Sequence, residues 1–381
     1  MDASAQKNKV FFPNLDGLRF VCFLAVFLYH CNETIFPNIS NSTTRALLNF
    51  LFRNGNLGVN IFFVLSGFLI TFLLIKEKEI RGTISLGNFY LRRILRIWPL
   101  FYLCIVLGFV IFPLVKYKVV PSPFEISNVW SYLFFAGNFD FIKIWPLPPD
   151  ALNLLVLWSV AVEEQFYLTW PVILKYLSKK NYPYVFFIII LGTLVFRAFY
   201  ATNYPMLHFH TLSVIGDMAL GGLVAYACSM PSNILNALTR MKRSVIILIY
   251  IVAVVLILLK DHIFFFPAAV VFERIILGAF FAFVIAEQNF AKNSFFKFSN
   301  FKIISRLGIY TYGLYCLHFI GILVAEKAAD KLHLTGATLP SSLIISLIAL
   351  LATIALAFIT YHLFEKWFLK LKDRFAFVSK R

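Results

Sequence analysis

Charge is what this chain is short of: Asp, Glu, Lys and Arg make up only 14% of its 381 residues, against about a quarter in soluble domains. The shortage excludes an ordinary soluble fold, because 60% of the residues are hydrophobic and 45 are Phe. Polar stretches are also scarce. Between residues 15 and 363 apolar runs follow one another, with nothing between them long enough to fold by itself. The chain reads as one integral-membrane domain over 1–381 with no appended soluble domain, its chemistry confined to the bundle or its edges. Cysteine is sparse and odd in number, and Cys22, Cys104, Cys228 and Cys316 lie in apolar segments, so nothing implies a disulfide framework. A small-residue cleavage site is missing after the first run, where His30, Cys31 and Asn32 stand instead. That run is a retained span and not a signal peptide.

What is present is span after span. A helix needs about 20 apolar residues to cross the hydrocarbon, and on that rule spans fall at 15–36, 57–75, 98–115, 152–174, 183–201, 209–228, 244–259, 263–286, 307–325 and 339–363. The expected fold class is all-α: a polytopic membrane helix bundle of about ten transmembrane helices. One segment, 131–145 (SYLFFAGNFDFIKIW), is apolar but short and interrupted by Gly137, Asn138, Asp140 and Lys143. It reads as re-entrant or interfacial. Cytoplasmic loops are rich in Lys and Arg. Placing the N-terminus with Lys7 and Lys9 inside puts most of the 35 Lys and Arg on that side, in clusters at 76–96, 175–180, 240–243, 292–306 and 366–381. Both termini are then cytoplasmic in a cell membrane, and the net charge of +17 reflects topology and anionic headgroups of the lipid bilayer. A nucleic-acid partner is not expected.

Against that apolar background the buried polar residues are few enough to name. In "LDGLRFVCFLAVFLYH" Asp16 and Arg19 sit at one end of a span and His30 near the other. Arg19 and His30 are close to three helical turns apart, a rise of roughly 16 Å on one face. In "WSVAVEEQFYL" Glu163 and Glu164 fall at a similar depth to His30. Histidine can take a proton from a hydroxyl and a carboxylate can orient it, which is acyl-transfer chemistry. The bland alternative is a histidine satisfied by a carbonyl, but ionisable groups inside spans are costly and usually functional. In "FYLRRILRIWPL" Arg92, Arg93 and Arg96 suit lipid headgroups first, while Arg92 and Arg96, four apart on one face, also suit a phosphorylated carrier. Ser66 lies among glycines in "GVNIFFVLSGFLIT", where small residues commonly serve packing. Tyr315 and His318 in "IYTYGLYCLHFI" suit a wet cavity or a mutually satisfied pair. Asp217 is a lone mid-span carboxylate and a cavity candidate, and Glu273 and Arg274 belong to a buried ion-pair network, structural or functional. His208 and His210 at the outer surface are weak evidence for metal.

Taken in order, these segments resemble the acyltransferase-3 family of integral-membrane acyltransferases. The likeness runs from "LDGLRF...LYH" through "GVNIFFVLSGFLIT", "FYLRRILRIWPLFY" and "LWSVAVEEQFYLTWP" to "YTYGLYCLH" and "TYHLFEKWF". Arg19 and His30 match the family's arginine–ten residues–histidine pattern, Trp158, Ser159 and Glu163 its tryptophan–serine–glutamate motif, and Arg92, Arg93 and Arg96 its cytoplasmic arginines. The resemblance implies transfer of an acyl group, usually acetyl, from cytoplasmic acyl-CoA to a hydroxyl of a surface carbohydrate or similar acceptor. It implies His30 as catalytic base or transient acyl carrier with Glu163 orienting it, and Arg19, Arg92, Arg93 and Arg96 on the donor phosphates. Asp16, Ser66, Trp158, Ser159, Asp217, Tyr315 and His318 are then expected to line the substrate cavity, with no metal. The rival reading is a transporter using the same buried groups as a substrate or proton path, which predicts internal repeats. The halves 1–190 and 191–381 show no self-similarity.

Overall fold

Apolar runs without internal turn signals become long helices, since a backbone in hydrocarbon must satisfy its own hydrogen bonds. The computed structural model describes residues 12–117 and 126–375 and is 82% helical, with no strand among the described residues. Lys7, Lys9, Lys380 and Arg381 lie outside them. The longest helices are α1 (Pro13–Thr34), α2 (Leu57–Arg81), α3 (Leu86–Val106), α4 (Leu157–Tyr176), α5 (Tyr182–Phe199), α6 (Thr211–Ser229), α7 (Arg243–Leu258), α8 (Pro267–Phe290), α9 (Thr311–Lys331) and α10 (Leu339–Thr360). Their order follows the expected spans.

Among the described residues, 7 helices are long and apolar enough to cross a membrane, or up to 9 if each of two bent pairs is one span. The expected figure of about ten is therefore not reached by length and composition. The helix outside that set is α4, which carries Glu163, Glu164 and Gln165 in succession. Polarity has displaced hydropathy where the chemistry is expected. The exterior is apolar, with Phe187, Phe199, Leu248 and Leu347 all exposed, and so broad an apolar surface belongs in lipid.

Two other expectations can be compared with the backbone. Segment 131–145 forms two short helices, Val129–Leu133 and Gly137–Ile144, with Phe135 between them at φ 54°. Eight residues rise only about 12 Å, so the piece does not cross. It is pinned to α4, where Gln165 Nε2 donates to Asn138 Oδ1 at 3.0 Å and to the Phe135 carbonyl at 2.8 Å. The third span starts earlier than hydropathy suggests: α3 begins at Leu86 and runs through the arginines without a break. Arg93 and Arg96 are thus fixed on a membrane helix.

Close helix approach sets the bundle's centre. The backbones of α2 and α6 touch where Gly67 faces Met218 and Gly221 faces the Val64 carbonyl. A methyl on Gly221 would strike backbone, which cannot swing aside as a side-chain end can. Gly221→Ala is therefore expected to destabilise the bundle by about 1–3 kcal/mol, the usual range for overpacking. Gly87→Ala, with nothing within 4 Å of its added carbon, should leave thermal unfolding in detergent unchanged.

Candidate active site

Helices α1, α2, α3, α4 and α9 contribute to the wall of a cavity of about 120 Å³. One end is basic. Arg19 from α1 and Arg93 and Arg96 from α3 line it, and Arg19 Nη1 is held by Asp16 Oδ1 at 2.9 Å. Arg93 lies over the Phe89 and Tyr167 rings, 5.7 and 5.6 Å from their centroids, and its Nε is buried without a hydrogen-bond partner. No hydrogen bond or ion pair engages Arg96 among the described residues. A guanidinium kept off its own protein's carboxylates can bind an incoming anion, and arginine forks suit phosphate.

The middle of the cavity is a hydrogen-bonded trio. Ser66 Oγ donates to Glu163 Oε1 at 2.6 Å, and Tyr167 OH lies 3.2 Å from both Glu163 Oε2 and Ser66 Oγ. At the far end Tyr315 OH and Ser159 Oγ are 2.8 Å apart. Glu164 faces away and accepts from Trp98 Nε1 at 2.9 Å.

Beyond Tyr315 stand two imidazoles. His318, fully buried, has Nδ1 at 2.7 Å from the Tyr315 carbonyl. An acceptor there assigns the proton to Nδ1, and Nε2 has no partner. Its ring stacks on that of His30, centroids 5.1 Å apart and planes 28° from parallel. His30 Nδ1 meets Glu33 Oε2 at 3.0 Å, the two side chains being 12% and 46% exposed. The carboxylate assigns the proton to Nδ1 there too, leaving Nε2 as the basic nitrogen.

The structure brings together Arg19, Ser66, Arg93, Arg96, Ser159, Glu163 and Tyr315 on one cavity wall. Other expectations need correction. Glu163 does not orient His30; the carboxylate on that ring is Glu33, one turn along the same helix. His30 and His318 stand behind Tyr315 and not on the cavity wall. Arg92 turns away to bind Glu77 Oε2 at 3.1 Å and the Phe375 carbonyl at 2.8 Å. Trp158 packs edge-on to Phe63 and Phe209, and Asp16 touches Arg19 without lining the cavity. Asp217 is in another part of the bundle, 2.8 Å from Arg274. The contact is an ion pair, and Asp217 Oδ1 and Arg274 Nε are left without a partner. Glu273 and Arg274 do stand in ion pairs, as expected, Glu273 with Lys260 at 3.3 Å and Arg274 with Asp217.

Sequence reasoning missed Glu33 and Tyr167. Each had a signal: Glu33 lies three residues past His30 and Tyr167 four past Glu163, spacings that put side chains on one helix face.

Comparison with known proteins places this geometry in context. A family model described as "Acyltransferase domain" matches residues 12–362. The O-acetyltransferase OatA of Staphylococcus aureus strain NCTC 8325 is 27% identical over 394 residues, 97% of this chain and 59% of that protein. A protein of strain COL, whose name proposes an O-acetyltransferase, is 32% identical over 236 residues, 58% of this chain and 35% of its own length. The chain thus spans between 35% and 59% of the curated relatives it matches. No solved structure matches it.

Proposed function

This chain belongs to the acyltransferase family whose model covers residues 12–362, and on that premise we propose that it is a membrane O-acyltransferase. It moves an acyl group, acetyl in the simplest case, from cytoplasmic acyl-CoA to a hydroxyl of a carbohydrate or similar acceptor on the other side of a cell membrane. The observation that carries this reading is the sequence of groups along one path. Arginines stand at one end of the cavity, Ser159 and Tyr315 at the other, and the His318 and His30 rings follow.

Arg19, Arg93 and Arg96 bind the donor's phosphates, and its thin arm follows the cavity towards Tyr315. The rise of roughly 16 Å from Arg19 to His30 suits so long an arm. Tyr315 acts as the barrier: it lines the cavity, its ring lies 6.0 Å from His318, and neither His318 nor His30 lines the cavity itself. Rotation of its phenol away from Ser159 opens the way. His30 Nε2 then accepts the proton of the acceptor hydroxyl as that oxygen attacks the thioester carbonyl carbon. The new C–O bond forms, the C–S bond breaks, and the departing thiolate takes the proton back from the His30 imidazolium, so that the coenzyme A thiol leaves towards the arginines and the base is restored. Glu33 holds the imidazolium while it lasts.

The test is direct. The protein in nanodiscs, given acetyl-labelled acetyl-CoA and cell-envelope glycan fractions of its host, should form an alkali-labile labelled ester. Intact, folded protein that labels no fraction under any donor chain length overturns the reading.

A further inference from the structure

A second, smaller cavity of about 30 Å³ lies among α2, α5, α8 and the short helix Tyr204–Phe209, away from the donor cavity. Its charged lining consists of Arg197, Lys260, Glu273 and Arg274, with His208 beside them. Two of the three cations have carboxylates: Arg274 faces Asp217 at 2.8 Å and Lys260 faces Glu273 at 3.3 Å. Lys260 also reaches Asp261 at 3.0 Å, but Asp261 is shared with Arg53 at 3.1 Å. Arg197 has none. Only 3% exposed, it donates to the carbonyls of Val270, Val271 and Leu207 and to Ser213 Oγ. A guanidinium has five N–H groups, so one remains. Arg274 is 7% exposed, and while its Nη2 meets Asp217, its Nε makes no hydrogen bond. A buried pocket with one uncompensated positive charge and unused donors is costly when empty and is relieved by an anion.

Aromatic side chains stand beside the pocket and beside the imidazoles, with the Glu33 carboxylate near both groups. His208 stacks on Tyr204 with centroids 3.9 Å apart, and both Tyr204 and Tyr29 lie within electrostatic range of Glu33. Tyr29 in turn meets the His30 ring at 4.9 Å.

We infer that this pocket anchors an anionic group, a carboxylate or a phosphate, carried by the acceptor whose hydroxyl is presented to His30. The inference rests on the acyl-transfer reading and names the acceptor's class: an acidic sugar or a phosphorylated one. Glu273 and Asp217 leave room for one net negative charge and exclude a second.

Binding tests it independently of turnover. The full chain in phosphatidylcholine nanodiscs is titrated with glucuronate, glucose 1-phosphate and glucose. Both anionic sugars are expected to bind at least about tenfold more tightly than glucose, as one charge-assisted contact allows. Arg274→Gln should remove the preference. Should that variant fail to fold, Lys260→Gln, at a more accessible site, should reduce it about threefold or more. His30→Ala should retain the preference while losing transfer, so failure of the catalytic proposal and failure of this one give different results. Equal binding of glucose and the anionic sugars, or a preference that survives both charge substitutions, overturns the assignment. Nanodiscs containing phosphatidylglycerol form the last arm. If that lipid alone abolishes the preference, the anion is a headgroup and the acceptor assignment falls.

Discussion

Replacing His30 with alanine is expected to lower acyl transfer by about 1,000-fold, within the range a general base contributes, while the bundle still folds. Folding should survive because the side chain is a partly exposed member of the end of α1, 12% open, and its side-chain hydrogen bond among the described residues is to Glu33 three residues away. The loss belongs in kcat, since the imidazole acts when the hydroxyl proton leaves and binds no donor phosphate. Glu33→Gln and Glu163→Gln separate the structure from the sequence reading. Glu33 touches the His30 ring and should cost about 10- to 100-fold in kcat; Glu163 touches Ser66 and Tyr167 instead. Glu163→Gln keeps a hydrogen-bonding partner for both and is expected to act on donor KM more than on kcat. If Glu163→Gln matches His30→Ala in kcat and Glu33→Gln is silent, the assignment of the orienting carboxylate is wrong.

The second large effect concerns the donor. Arg93→Ala and Arg96→Ala are each expected to raise KM for acetyl-CoA by about 10- to 100-fold, since a charged hydrogen bond contributes roughly 1.5–3 kcal/mol. Neither has a carboxylate within ion-pair distance among the described residues, so its loss strands no partner. Arg92→Ala is the contrast, although it stands next in sequence. Its guanidinium compensates Glu77, whose carboxylate is fully buried and also accepts from the Ser85 backbone N–H at 3.1 Å. Removing one partner of such a pair costs about 3–5 kcal/mol. Arg92→Ala should therefore lower the unfolding temperature, with donor KM little altered in the protein that remains folded. Steady-state kinetics and thermal unfolding of the three variants side by side distinguish these outcomes.

Hydropathy made the fold legible because each long helix must present apolar side chains to lipid, and the order of the runs survives in α1 to α10. Its signal is weakest at α4, expected as a span over 152–174 and found as the helix Leu157–Tyr176, because the half-buried polar triplet Glu163, Glu164 and Gln165 interrupts the apolar run. The start of α3 was missed, since arginines facing an internal cavity look the same in sequence as arginines facing headgroups. The cavity's lining was legible as a set of residue types, since Arg19, Ser66, Arg93, Arg96, Ser159, Glu163 and Tyr315 all stand on its wall. The match over residues 12–362 bears out the family resemblance drawn from the motifs. Pairing between helices was not legible. Nothing in "WSVAVEEQFYL" says that Glu163 meets Ser66 and not His30, because depth along two helices does not fix their rotation. Asp217 shows the same limit: a lone carboxylate in one segment finds Arg274 in another. Glu33 was within reach of a simple rule, three residues from a candidate base, but it stood just past the apolar run.

The central claim is that donor and acceptor approach the imidazoles from opposite faces of the membrane. Right-side-out vesicles carrying the protein should acylate an acceptor added outside when acetyl-CoA is sealed within. Unloaded vesicles of the same orientation, given acetyl-CoA and acceptor together on the outside, should make no product. Product from the outside donor alone, or its absence from loaded vesicles that contain active protein, would contradict the account.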